Sequence, residues 1–184
     1  MARVLFVDDD EIFLKSMQRS LSHLDEWDFV FTADSELVCL HDWEDNFERT
    51  FGFRVQSPLS LEEFEALAAG NERFTNSTLD GLAAWLRDNP RARIVTDVRG
   101  DLRDALDLIA ARIEGHEHRV IPQIYLPQQA AIVRELGFRS MIWTLYRYDG
   151  EPLDVFRIAT GWPIPVAIAM PRGWVDTGLP MLLR

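Results

Sequence analysis

Cysteine and lysine are almost missing from this chain. Cys39 is the only cysteine and Lys15 the only lysine among 184 residues. A single thiol excludes an intramolecular disulfide framework and fits a reducing compartment. Any chemistry that needs an amine side chain must run through Lys15, because the other 18 basic residues are arginines. A GC-rich coding bias is the plainer reason for that imbalance. Positive charge is scarce as well: 30 Asp and Glu against 19 Lys and Arg leave a formal net charge of −11. Nucleic-acid backbones and anionic membrane surfaces require clustered Lys and Arg, so neither is expected as a partner. No apolar run approaches the roughly 18 residues of a membrane span. The start, Met1-Ala2-Arg3 followed by an acidic cluster, is unlike a secretory signal. A soluble, cytoplasmic protein is the expectation.

What is present is alternation. The apolar run Val4-Leu5-Phe6-Val7, ending in Asp8-Asp9-Asp10-Glu11, reads as a buried parallel strand. Residues 12–24 have helical spacing, and residues 27–31 and 36–40 are strands joined by an Ala33-Asp34-Ser35 turn. Residues 43–58 are irregular and aromatic-rich, which predicts a loop. Ser60 with Glu63 predicts a capping box, and a second helix follows from about residue 77 to Asn89-Pro90. Strands at 94–98, 120–125, 138–146 and 166–170 then alternate with helices at 102–113, 128–136 and 152–159. Such alternation makes βαβ units and a parallel sheet. The expected fold is a single α/β domain over residues 1–184, with parallel strands near residues 3, 27, 94, 120, 140 and 166.

In parallel α/β folds chemistry sits at the C-terminal ends of the strands. Those ends carry Asp8 and Asp9, Glu26 and Asp28, His41-Asp42, Asp97 with Arg99, Gln123 with Tyr125, and Trp143. Many carboxylates on one rim call for a cation between them, and oxygen ligands suit Mg²⁺ or Ca²⁺ better than Zn²⁺. Glu26 and Asp28, at i and i+2, point to the same side of a strand. Each piece also has a plainer reading. Asp8 to Glu11 can cap the following helix, Glu26-Trp27-Asp28 can be a solvated strand face, and His41-Asp42 can be a surface pair. The other reading of that pair is a general acid or base held by a carboxylate. The aromatics Phe47, Phe51 and Phe53 either pack a long loop or form an apolar lip for a lipid-like alcohol.

The string EWDFVFTADSELVCLHDW, residues 26–43, resembles the second-strand region of the glycerophosphodiester phosphodiesterases, which carry E-x-D, T-x-D-G and His-Asp. Glu26, Asp28, Thr32, Asp34 and His41-Asp42 match those intervals, with Ser35 in the place of the Gly. Thr96-Asp97-Val98-Arg99 is similar to the family's third-strand acid-x-Lys pattern, with Asp for Glu and Arg for Lys. Residues 121–125 and 142–147 are similar to later strands of a bacterial subgroup. The resemblance implies a TIM-barrel phosphodiesterase acting on a phosphodiester small molecule. It implies one divalent cation, Mg²⁺ or Ca²⁺, held by Glu26, Asp28 and Asp97. His41 would be the general acid on the leaving alcohol, and Arg99 would contact the phosphate. The family's first-strand His-Arg-Gly-like motif is absent, since no histidine precedes His23, so impaired catalysis is expected.

The head differs. RVLFVDDDEIFLKSMQRSLSHL, residues 3–24, resembles the first strand and helix of a response-regulator receiver domain. In that family the paired aspartates, here Asp8 and Asp9, bind Mg²⁺. The two resemblances together imply a chimera: a receiver-like βα segment over residues 1–33 and a phosphodiesterase-like body over 34–184. A non-catalytic receiver-like Mg²⁺ module using Asp8, Asp9 and Asp97 is the alternative. A closed eight-stranded barrel typically needs about 250 residues. The expected sheet is therefore a partial or open TIM-barrel-like one of about six parallel strands. Homo-oligomers are expected to form through its open edge or through residues 178–183.

Overall fold

The computed structural model describes residues 24–70, 78–162 and 166–170, with side chains from residue 27 onward and, in the last strand, from residue 167. The strand near residue 3, the 12–23 part of the first helix and residues 178–183 lie outside the described residues. Two compact units divide the chain, residues 25–117 and residues 118–184 with 1–24. Six strands and six α-helices among the described residues make it an α/β protein.

In the unit of residues 25–117, β1 (Leu24–Phe31) lies between β2 (Leu37–Cys39) and β3 (Arg93–Arg99). β1 and β2 form an antiparallel hairpin that registers Phe29 with Cys39, Val30 with Val38 and Phe31 with Leu37. The turn forms because the Thr32 hydroxyl donates to Asp34 Oδ1 at 2.6 Å and accepts from Glu36 N at 2.9 Å. Ser35 takes the left-handed conformation at φ 63°. The Asx/ST chemistry read from the sequence therefore closes the hairpin.

Residues 43–58 depart from the loop expectation. Asp45–Phe51 is a helix, α1, closed by Gly52 at φ 82°. Trp43, Phe47 and Phe51 recur every four residues, so their rings line one side and pack in tilted pairs at 5.5 and 4.7 Å between centroids. Helix α2 (Leu61–Ala68) carries the expected capping box: Ser60 accepts from Glu63 N, and the Glu63 carboxylate accepts from Ser60 N. Replacing Ser60 with Ala is expected to cost about 1 kcal/mol, measured by chemical unfolding.

β1 uses both of its faces. Val30 joins Val38, Leu40, Trp43, Phe47, Phe64 and Ala68 in one core cluster. The opposite face carries Trp27, whose ring lies 5.8 Å from that of Trp85 on α3 (Leu79–Asp88). Thr78 caps α3, which packs against β2 and α4 (Leu102–Arg112).

In the other unit, β4 (Val120–Ile124), β5 (Met141–Thr144) and β6 (Val166–Ala169) pair in parallel. β4 connects to β5 through α5 (Gln129–Glu135), and β5 to β6 through α6 (Pro152–Thr160). β5 is shorter than the 138–146 expected, because a 3-10 turn takes over at Leu145–Arg147. Five of the six expected strands are present at their positions. The βα alternation from β3 onward is as read from the sequence.

Candidate functional site

His41 follows β2, where the chain leaves the hairpin and enters α1. Its Nδ1 lies 3.0 Å from Asp28 Oδ2 on β1. Its Nε2 lies 2.5 Å from a terminal guanidinium nitrogen of Arg99, at the end of β3. The hairpin makes the first contact possible, since Leu40 N donates to Asp28 O at 3.1 Å and brings position 41 beside position 28. Partners 13 and 58 positions away in the sequence thus converge on one imidazole.

The chemistry of the partners fixes the tautomer. A guanidinium only donates, so Nε2 accepts from Arg99, and the remaining proton on Nδ1 is donated to Asp28. His41 stands as the Nδ1–H form, oriented by a carboxylate, with its second nitrogen covered. The ring is 43% exposed, so this polar relay sits at the surface of its unit and not in the core.

Asp42 adds a second carboxylate, with Oδ2 4.0 Å from His41 Nε2. Its other oxygen accepts from Asn46 N at 2.7 Å and Glu44 N at 3.1 Å, which caps the entry to α1. Burial alone would raise the Asp42 carboxyl. The backbone N–H groups of Asn46 and Glu44, with the Arg99 guanidinium nearby, outweigh it and hold the group below the ordinary carboxylate value. Asp34 is also held low, by the Thr32 hydroxyl and then by Leu61 N, which ties the hairpin turn to the start of α2. A carboxyl depressed in the folded state stabilises above its unfolded value of about 3.9 and loses that effect as pH falls. Asp42→Asn is therefore expected to flatten the acid arm of the stability–pH curve, seen as a smaller loss of the urea midpoint between neutral pH and pH 3.

Asp97 sits two residues before Arg99 on β3, so strand alternation puts both on one face. It is half-buried, with Oδ1 shielded from solvent. Glu26 falls on β1 with its side chain outside the described residues, and Asp8 and Asp9 also lie outside them. Among the described residues, no three His, Cys, Asp or Glu side chains gather as a metal cage. The donor set drawn from the sequence is nevertheless all carboxylate oxygen, which fits a hard divalent cation in kind.

Cys39 does not compete as a nucleophile or a ligand. Burial, with the Asp28 carboxylate nearby, pushes its thiol up to about 12. Phe47 and Phe51 turn out to be packing residues, Phe47 fully buried, while Phe53 remains 44% exposed. Sequence reasoning missed Asn46, whose side-chain oxygen accepts from His41 N at 3.4 Å. The signal for it was the four-residue spacing of Trp43, Phe47 and Phe51, which marks a helix starting just after His41. Among the described residues no helix is long and apolar enough to cross a membrane.

No family model and no curated protein matches this chain. Among solved structures it is similar to three glycerophosphodiester phosphodiesterases, each at 13% identity. That of Agrobacterium tumefaciens str. C58 has a TM-score of 0.36 over 91% of this chain and 96% of the other. A glycerophosphoryl diester phosphodiesterase of Parabacteroides distasonis ATCC 8503 has 0.36 over 85% and 76%. A putative one of Silicibacter pomeroyi DSS-3 has 0.39 over 98% and 94%. At these scores the functional reading rests instead on the side chains around His41.

Proposed function

We propose that the surface around His41 is a site for phosphodiester hydrolysis on a small glycerophosphodiester-like molecule. The observation that carries the reading is the bracketing of one imidazole by a carboxylate and a guanidinium, Asp28–His41–Arg99. Arg99 binds the phosphate, for which its planar fork is suited. Once Nε2 is protonated from solvent, His41 delivers that proton to the departing alkoxide and returns to its neutral form, and Asp28 holds the ring and stabilises the imidazolium in between. Glu26, Asp28 and Asp97 would hold a Mg²⁺ or Ca²⁺ ion. That ion would offset phosphate charge and lower the pKa of an attacking water. Asp8 and Asp9 carry no step in this scheme.

Turnover is slow in this proposal. The second histidine that the family resemblance implies has no counterpart in the first-strand segment, where Asp8-Asp9-Asp10 stands. Loss of one acid–base group of this kind costs about 10²–10⁴-fold. Hydrolysis of bis(p-nitrophenyl) phosphate with Mg²⁺ or Ca²⁺ tests the reading. The expected result is a rate above the buffer blank that Asp28→Asn and Asp97→Asn each abolish. Equal rates for the wild type and both variants contradict it. Self-association through an open sheet edge belongs to the same proposal, and a clean monomer in light scattering contradicts that part.

A further inference from the structure

We propose that Arg99 latches His41 and is released by the anionic substrate itself. The inference deepens the phosphodiester reading and rests on it. The guanidinium donates to His41 Nε2 at 2.5 Å, so the nitrogen that must later carry the transferred proton is covered. The latch is built from opposed partners. Asp28 Oδ2, at 3.0 Å from Nδ1, holds the proton on the far side of the ring, which leaves Nε2 as a pure acceptor facing a pure donor. Asp42 Oδ2 lies 4.0 Å from the same nitrogen, while its other oxygen accepts from the backbone N–H groups of Glu44 and Asn46.

A neutral imidazole nitrogen is a weak partner for a cation. A diester phosphate offers two anionic oxygens to the guanidinium fork, and such charge-assisted bonds are roughly twice as strong as neutral ones. The Arg99 side chain is exposed and can turn toward an incoming anion. When it does, the same movement anchors the phosphate and uncovers Nε2. An uncharged phosphotriester gives Arg99 less reason to leave, so the latch also selects for charge.

The test is ¹⁵N NMR of the histidine-labelled full chain at one fixed pH, with His41 assigned through His41→Gln and dimethyl phosphate as the probe. The wild type is expected to show His41 as the Nδ1–H tautomer. Adding dimethyl phosphate should move its Nε2 signal toward the position that Arg99→Gln shows without probe, and Arg99→Gln itself should not respond. Arg99→Lys keeps the charge but lacks the fork, and its Nε2 signal is expected to need more probe to move. An Nε2 signal that is the same in wild type and Arg99→Gln overturns the latch. A wild-type signal unmoved at the highest probe concentration overturns it too. The two readings fail separately. Hydrolysis with an unmoved signal removes the latch alone, and a moved signal without hydrolysis removes the phosphodiesterase reading alone.

Discussion

His41→Gln is expected to lower kcat/KM for glycerophosphocholine by about 10²–10⁴-fold, the range for loss of a positioned acid–base group. The size of the loss should depend on the leaving group. An alkoxide is a poor leaving group and needs a proton as its bond to phosphorus breaks. Nitrophenolate is a stable anion and leaves without one. The same substitution is therefore expected to cost much less with bis(p-nitrophenyl) phosphate. Gln fills the space of the ring and can bond Arg99 but cannot deliver a proton, so the structure around it should persist. Equal losses on the two substrates would mean that His41 organises the site without donating to the leaving oxygen.

Phe47→Ala is expected to destabilise the chain by about 3–5 kcal/mol, the usual cost of emptying a buried phenylalanine site. Phe47 is fully buried on α1, within 4.7–5.5 Å ring-centroid distance of Trp43, Phe51 and Phe53. Trp43 and Phe64 meet edge to face at 5.8 Å, so α1 and α2 share this cluster with β1 and β2. Its neighbours come from four elements and cannot all close on the vacancy. Against a typical domain stability of 5–15 kcal/mol, the loss is a large fraction. Urea unfolding followed by tryptophan fluorescence measures it. A shift below about 1 kcal/mol would show that the aromatics of residues 43–53 do not form a packed core.

Much of the fold was legible because local signals agreed with one another. At Ser60 the capping residue, the Glu63 partner and the apolar stripe behind them all pointed to a helix start. The segments of β3 to β6 were bounded by turn residues and separated by helical periodicity. The sequence misleads where the deciding contact is not local. The apolar run of residues 138–146 reads as one long strand, but only Met141–Thr144 pair with β6. Leu24, read as the last residue of a helix, begins β1. In residues 43–58 the four-residue spacing was present, and the surrounding aromatics with Gly52 and Pro58 obscured it.

The site divides the same way. Asp28 and His41 are 13 residues apart and lie on the two arms of one hairpin, so their meeting follows from a register that a turn and two short strands define. The contact of Arg99 with Nε2 spans 58 residues and depends on β3 lying beside β1, which spacing alone does not encode. That contact adds Arg99 to Asp28 and the His41-Asp42 pair, all at the surface of their unit.

If the relay around His41 serves phosphodiester hydrolysis, the full chain with Mg²⁺ or Ca²⁺ releases the alcohol from glycerophosphocholine. The expected result is slow turnover above the buffer blank that falls to the blank on chelation and in His41→Gln. No turnover above the blank with either cation would contradict it.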